Sequence, residues 1–181
     1  MNYKRKFLIT IAALLSLIIA RYVNNSLFYN ANREFLNQKK EADENRLVFV
    51  QRVIDGDTVV LANGDRIRYI GINTPELHHP QKGAEYYAKE ALNFNKELVL
   101  GKPVRLEFDK ERFDRYGRTL AYVYLEDGTF VNKELVKRGY ARTMAIKPNT
   151  KYAGLFKRLQ EQAEIEKIGV WAKQYGAEGG S

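Results

Sequence analysis

The chain has 181 residues, 45% of them hydrophobic and 12% aromatic, which is enough apolar material for a buried core and excludes a disordered basic tail. Its 30 lysines and arginines exceed its 22 aspartates and glutamates, so the formal net charge is +8. The sequence has no cysteine and only two histidines, His78 and His79, which stand side by side. This composition excludes a disulfide framework and a thiol nucleophile, and it disfavours a zinc or histidine-based centre. Any catalysis would therefore depend on carboxylates, arginines and a hard metal ion.

Residues 1–20 have the pattern of a signal peptide or an N-terminal membrane anchor. Three cations at positions 4–6 precede 14 residues, 7–20, that are apolar except for two hydroxyl side chains. As a helix this run would span about 21 Å, less than a hydrocarbon core of about 30 Å, which favours a signal peptide. The bulky pair Ile18-Ile19 before Ala20 fits a cleavage site poorly. Membrane attachment through residues 7–20 therefore stays open, and the protein is predicted to be secreted or anchored to the outer face of the cell membrane.

Residues 21–46 are rich in Asn, Lys and Glu and have only a weak helical pattern, which predicts a linker or stalk. Eight of the cations and four of the anions precede residue 47, so residues 47–181 keep a charge of +4. The predicted folded domain, 47–173, is therefore only moderately basic. Residues 174–181 are predicted to form a flexible tail.

From residue 47 onward, short runs of β-branched and aromatic residues predict strands, and longer runs with 3.6-residue periodicity predict helices. Asn63-Gly64 is typical of a tight hairpin between the second and third strands. The order β-β-β-α-β-β-α-α predicts an α+β, mainly β, fold: a five-stranded OB-fold-like barrel with three packed helices. The predicted strands are 47–54, 58–61, 66–72, 104–108 and 120–125; the predicted helices are 84–99, a short one that Asn132 caps and that stops at Gly139, and 152–167.

Three short motifs contain the side chains that could support chemistry. Asp55-Gly56-Asp57 joins two predicted strands, and by itself it is an ordinary turn sequence. Arg68 shares one face of its predicted strand with Ile70 and Ile72, so it would lie among apolar side chains and need an anionic partner. An internal ion pair with an aspartate explains Arg68 as well as a bound anion does. The third motif, 114–118, is a basic turn before a strand, and alone it is explained by a solvated loop.

Together and in this order, the three motifs resemble the staphylococcal nuclease (thermonuclease) family. The likeness covers about residues 47–173 and includes the combination Asp-Gly-Asp-Thr, Arg-x5-Thr-Pro-Glu and Asp-Arg-Tyr-Gly-Arg, together with 79–83, 147–149 and Trp171. The resemblance implies the five-stranded barrel with packed helices. It also implies Ca²⁺-dependent hydrolysis of phosphodiester bonds in DNA and RNA, with 3′-phosphate ends.

The resemblance also implies residue roles. Glu76 would lie over the attacking water, as general base or to order it, while Arg68 and Arg118 would hold the scissile phosphate through their planar guanidinium groups. Both histidines fall in the loop after Glu76 and lack an identifiable orienting partner. The calcium ligands would be Asp57, Asn73 and the carbonyl of Thr74, and further substrate contacts would come from Lys82, Arg115 and Tyr116.

The sequence departs from the family pattern at two places. Asn73 stands where the best-known members have an aspartate, which predicts weaker calcium binding because ligand charge tunes affinity. Met144 and Ile146 stand where those members have tyrosines lining the nucleotide pocket, so base stacking would differ. A non-catalytic OB-fold module that binds nucleic acid is the alternative function. The protein is predicted to be monomeric, and its preference between DNA and RNA stays open.

Overall fold

The computed structural model of this protein describes residues 21–35, 46–77 and 83–175, with side chains described as far as residue 172. A boundary after Asp43 separates an N-terminal unit from a unit that runs from Glu44 to the C terminus. In the first unit, residues 21–35 form helix α1, within the segment predicted as a linker or stalk. The predicted signal or anchor, 1–20, lies outside the described residues. Among the helices that are described, none combines the length and apolar character needed to cross a bilayer.

The second unit consists of short strands and three α-helices. Its described strands are β1 (Leu47–Val53), β2 (Thr58–Leu61), β3 (Arg66–Tyr69), β4 (Gly71–Asn73), β5 (Pro103–Glu107), β6 (Thr119–Leu125) and β7 (Arg142–Met144). Its described helices are α2 (Ala88–Val99), α3 (Val131–Lys137), α4 (Ala153–Ile165) and a final 3₁₀ helix (Gly169–Tyr175).

Five of the strands close into a barrel in the order β1-β2-β3-β6-β5. The β3–β6 pair is parallel, with Ile67 opposite Thr119, and the other pairs are antiparallel. Val59, Ile67 and Val123 point inward and are fully buried. The predicted OB-fold-like barrel with packed helices is confirmed. Closure pairs every barrel strand on both sides, so the barrel is a rigid frame for the loops at its mouth.

The prediction of one continuous strand over 66–72 is wrong. Gly71 has φ 79°, which ends the barrel strand after Tyr69 and starts β4 in a new direction. A Cβ atom at Gly71 would lie 2.7 Å from the Phe156 ring, so glycine is needed here for space as well as for its backbone conformation. β4 pairs with β7 in a separate two-stranded sheet. This change of direction takes Asn73 off the barrel wall.

Two predicted helix starts also differ. Helix α2 begins at Ala88 instead of residue 84, because Tyr87 has φ 70° and interrupts the helical backbone. Asn132 is not a cap, since helix α3 begins at Val131. Instead the buried Asn132 side chain accepts a hydrogen bond from the Val123 N–H at 2.9 Å and donates one to the Ile70 carbonyl at 2.9 Å. Asn132 therefore links helix α3 to both β6 and the bend before β4.

Candidate active site

The turn between β1 and β2 holds Asp57 in a buried position at the barrel mouth. Asp57 Oδ2 accepts a hydrogen bond from the Thr74 N–H at 2.7 Å, and Oδ1 accepts one from Thr58 Oγ1 at 3.2 Å. The turn itself is braced, because Asp55 Oδ1 accepts the Asp57 N–H at 3.0 Å and the Asp55 carbonyl accepts Asn95 Nδ2 at 3.1 Å. The carboxylate is thus fixed by both its own turn and helix α2.

Gly56 lets this turn approach the loop after β4. A Cβ atom at Gly56 would lie 2.6 to 2.7 Å from three side-chain atoms of Thr74, closer than atoms in contact can come. From the sequence alone, Asp55-Gly56 is explained as an ordinary turn. The structure shows that Gly56 is also needed for this close approach to Thr74. The contact fixes the distance between Asp57 and Thr74.

Arg68, only 7% exposed, lies beneath the same turn and pairs with Asp57. Its Nη2 is 3.1 Å from Asp57 Oδ2 and donates to Asn73 Oδ1 at 2.8 Å. Its Nη1 donates to the carbonyls of Tyr69 and Ile72, both at 2.8 Å. The ion pair that the sequence left open is therefore present. Nη1 makes two hydrogen bonds and Nη2 makes one, and Nη2 also forms the ion pair with Asp57, so a two-pronged grip on a phosphate requires Nη2 to change partner.

The environment of Asp57 disfavours its charge. Burial raises the pKa of the Asp57 carboxyl to about 7, while the Arg68 guanidinium and the Thr74 N–H act in the opposite direction and offset burial only in part. The neighbouring Asp55 adds a further upward contribution. A cation placed beside Asp57 would stabilise the charged form.

The oxygens that the resemblance assigns to a cation are Asp57 Oδ1, Asn73 Oδ1 and the Thr74 carbonyl. The hydrogen bonds from the Thr74 N–H to Asp57 and from Arg68 to Asn73 keep these residues together. The Asn73 oxygen already accepts Arg68 Nη2, and its second lone pair can still take a cation. Among the described residues, no cluster of three or more His, Cys, Asp or Glu side chains is present. An all-oxygen set with a single carboxylate fits a hard cation such as Ca²⁺ or Mg²⁺ whose remaining positions are filled by water or phosphate oxygens.

Glu76 lies two residues beyond Thr74 and is exposed. Its N–H donates to Glu85 Oε2 at 2.9 Å, and its carbonyl accepts the Glu85 N–H at 2.8 Å. No partner among the described residues contacts the Glu76 carboxylate. The Glu76 side chain is therefore accessible from solvent.

Arg118 lies in the turn immediately before β6. The parallel register of β3 and β6 places Thr119 opposite Ile67, so Arg118 lies beside the strand that contains Arg68. Arg118 Nε donates to Asp114 Oδ2 at 2.7 Å, and Asp114 Oδ1 accepts the Arg118 N–H at 3.0 Å. Within the described part of the chain, neither Nη group of Arg118 has a hydrogen-bond partner. The two Nη groups of Arg118 are therefore available to bind an anion together, whereas both Nη groups of Arg68 already have hydrogen-bond partners.

Asp114 controls the shape of this turn. Partial burial acts to raise the pKa of its carboxyl, but hydrogen bonds from the Arg118 and Tyr116 backbone N–H groups and from the Arg118 side chain outweigh that effect and lower it. Tyr116 is 69% exposed, with the Arg115 guanidinium 4.8 Å and the Arg118 guanidinium 5.5 Å from its ring centre. The turn therefore presents an aromatic face flanked by two cations.

The structure does not place every predicted residue. Lys82 lies outside the described residues, as do His78 and His79. Met144 and Ile146 are exposed, on β7 and just after it. Sequence reasoning assigned no role to the supporting side chains of Asp114, Asn95 and Glu85. Asp114 stood within a recognised motif, whereas neither Asn95 nor Glu85 had a local signal.

These features define an OB-fold protein whose barrel mouth holds a buried ion pair of Asp57 and Arg68, with the exposed Glu76 two residues after Thr74. Residues 66–173 match the sequence model of the family described as staphylococcal nuclease homologue. The chain belongs to the staphylococcal nuclease family.

Relatives cover most of the chain. The thermonuclease of Staphylococcus hyicus is 37% identical over 168 residues, which is 91% of this chain and 95% of the relative. The thermonuclease of Staphylococcus intermedius is 42% identical over 127 residues, 68% of this chain and 75% of the relative. Endonuclease YncB of Bacillus subtilis is 43% identical over 142 residues, 76% of this chain and 65% of the relative.

Proposed function

We propose that this chain is a Ca²⁺-dependent nuclease that hydrolyses phosphodiester bonds of DNA and RNA and leaves 3′-phosphate ends. Family membership and relatives named thermonuclease and endonuclease support the nuclease activity. The main structural support is the convergence of Asp57, Arg68, Asn73 and Thr74 within hydrogen-bonding distance at one barrel mouth. A chain that only binds nucleic acid needs the arginines but has no use for buried and exposed carboxylates facing a phosphate.

Export is part of the proposal. The cations at positions 4–6 and the apolar run 7–20 support secretion or attachment to the outer face of the cell membrane. The protein would act there as a monomer, where extracellular calcium offsets a site with a single carboxylate ligand.

Each predicted site residue has a separate role in this proposal. Asp57, Asn73 and the Thr74 carbonyl would hold the cation, which when bound supplies Lewis-acid polarisation and a template for the phosphate. Arg118 would donate from both Nη groups to the phosphate oxygens, where negative charge gathers in the transition state. Arg68 would donate from Nε, and from Nη2 once that group leaves Asp57 or Asn73.

Glu76 completes the site. Its carboxylate has no protein partner among the described residues and would accept the proton of the attacking water. Arg118 would also stabilise the departing 5′ oxygen by hydrogen bonding, which leaves the phosphate on the 3′ side. Tyr116, Arg115 and Lys82 would contact the rest of the substrate, the tyrosine by stacking and the cations by phosphate contacts.

The deciding experiment is hydrolysis of single-stranded DNA and RNA by the full chain with Ca²⁺ or with EGTA. The parent should cleave only with Ca²⁺, and Glu76→Gln should lower kcat by roughly 10² to 10⁴, the usual contribution of a positioned general base. Glu126→Gln is a matched control, because Glu126 is exposed in the turn after β6. End-group analysis of the products tests the 3′-phosphate.

Other outcomes would redirect the assignment. Binding of single-stranded DNA without cleavage under any divalent cation would favour the non-catalytic binding module. Cleavage that is equal in the parent and Glu76→Gln would remove the general-base role.

A further inference from the structure

Glu85 contacts the backbone of Glu76, and none of the three sequence motifs predicts this contact. The two residues are nine positions apart, and the contact is reciprocal. Glu85 Oε2 accepts the Glu76 N–H at 2.9 Å, and the Glu76 carbonyl accepts the Glu85 N–H at 2.8 Å. Glu76 lies in no helix or strand, and its backbone N–H is bound by the Glu85 carboxylate instead of by a neighbouring strand.

The contact holds Glu76 from its C-terminal side. On the N-terminal side, the Thr74 N–H is bound to Asp57 Oδ2 at 2.7 Å, and Pro75 restricts the backbone between them. Without the Glu85 carboxylate, the Glu76 N–H would lose its acceptor, and only the backbone hydrogen bond between the Glu85 N–H and the Glu76 carbonyl would hold this side. The side-chain hydrogen bond is therefore a second attachment of the Glu76 backbone, through its N–H group.

Glu85 is itself attached to a rigid element. Its carbonyl accepts the Ala88 N–H at 3.1 Å, which joins it to the first turn of helix α2. Helix α2 buries Ala88, Ala91 and Asn95. Asn95 in turn braces the turn that holds Asp57, so helix α2 supports both the buried and the exposed carboxylate of the site.

We infer that Glu85 is a positioning residue for Glu76: its carboxylate holds the Glu76 backbone so that the Glu76 side chain stays at the reacting water. This inference rests on the proposed function, in which Glu76 accepts the proton of that water. Glu85 itself touches no substrate. A carboxamide at this position would supply the same acceptor oxygen, because the interaction needs an acceptor and not a negative charge.

The test compares Glu85→Ala, Glu85→Gln and the control Glu126→Ala in the full chain. Glu85→Ala should lower kcat about tenfold with KM within about twofold, since a small misplacement of a catalytic group is costly and substrate contacts lie elsewhere. Glu85→Gln should keep kcat within about twofold of the parent. Glu126→Ala should match the parent. A rise in KM alone, or an equal loss in the Gln variant, would overturn the inference.

A double-mutant cycle separates positioning from a general structural role. In the Glu76→Gln background, Glu85→Ala should lower the residual rate no further, because a residue that acts through Glu76 has nothing left to act on. An equal tenfold loss in both backgrounds would show that Glu85 acts on another part of the site. If instead Glu76→Gln cleaves as well as the parent, it is the general-base role of Glu76 in the proposed function that fails.

Amide hydrogen exchange provides a readout independent of cleavage. The Glu76 N–H should exchange about tenfold faster in Glu85→Ala than in the parent, and at the parental rate in Glu85→Gln, provided that the thermal midpoint is unchanged. Unaltered exchange at Glu76 in the Ala variant would mean that the hydrogen bond does not hold in solution, and the inference would be wrong.

Discussion

The polar side chains at the centre of the site contact one another: Arg68 pairs with Asp57 and donates a hydrogen bond to Asn73. Arg68 Nη2 is shared between Asp57 Oδ2 and Asn73 Oδ1, while Asp57 Oδ2 also accepts the Thr74 N–H. An amide at position 73 supplies the acceptor that Arg68 uses without a second negative charge. Asp57 is therefore the only carboxylate among the predicted cation ligands, and it is the one charge that compensates Arg68 within the described residues.

This arrangement predicts that Arg68 contributes to stability as well as to phosphate binding. Arg68→Ala should lower the free energy of unfolding by about 3 to 5 kcal/mol, because it leaves the buried Asp57 carboxylate without its partner. Arg138→Ala is the surface control: Arg138 pairs with Glu134 but is 60% exposed, so its loss should cost about 1 kcal/mol or less. Urea denaturation measures both. Equal costs for the two variants would mean that the buried pair adds nothing.

At the scale of elements, hydrophobic alternation and turn residues predicted the barrel strands to within one or two residues. They failed at Gly71, because alternation cannot reveal that a glycine φ of 79° redirects the chain after Tyr69. They failed again at Asn132, where a residue type that favours helix caps is used to bridge two elements distant in sequence.

For the candidate site too, the sequence predicted local features and missed contacts between distant residues. Two of the motifs contain Asp57, Arg68, Asn73 and Thr74, which the structure brings together, and such motifs can be read because they are local in sequence. The partners that orient them are not local. Asn95 lies 40 positions from Asp55, and the Gly56–Thr74 approach depends on how two loops meet.

That approach supports a prediction for the turn between β1 and β2. Gly56→Ala should lower the free energy of unfolding by about 1 to 3 kcal/mol, as overpacking does, and push Thr74 away from Asp57. Calorimetry should show weaker Ca²⁺ binding in the same variant. Gly154→Ala is the control, because its added Cβ would lie 3.9 Å from Arg158 Nη1 on helix α4, and it should stabilise the protein by about 0.5 to 1 kcal/mol. Unchanged calcium affinity in Gly56→Ala would contradict the role given to this contact.

The turn before β6 should respond to pH through Asp114. Because the folded-state pKa of its carboxyl is lowered, the stabilisation from Asp114 is complete above the unfolded pKa of about 3.9 and is lost as pH falls through the folded value. Asp114→Asn should therefore be less stable than the parent near pH 6, and the difference should begin to shrink below about pH 4 and disappear only below the lowered folded-state pKa of Asp114. Unfolding midpoints between pH 2 and 6 measure the difference. A constant difference across that range would exclude this linkage.

At the scale of the whole molecule, the features that define the fold and the site lie in the unit that begins at Glu44. The main buried core extends from Val50 to Phe156, and a second cluster includes Trp171. The first unit contributes much of the positive charge, since the +8 of the chain falls to +4 over residues 47–181. The described barrel and the proposed active site thus belong to one unit, and the proposed export segment belongs to the other.

This division predicts that residues 44–181 fold and cleave alone. Their free energy of unfolding should match that of the full chain within about 0.5 kcal/mol, the size of a surface substitution effect, because none of the buried core residues is removed. Their kcat with Ca²⁺ should also match, since every predicted site residue is retained. Their affinity for single-stranded DNA should fall modestly and should depend less on salt, because the removed segment takes four net positive charges with it. Denaturation, single-turnover cleavage and a salt titration test these outcomes separately. A fragment that is stable but inactive would place part of the active site in residues 1–43.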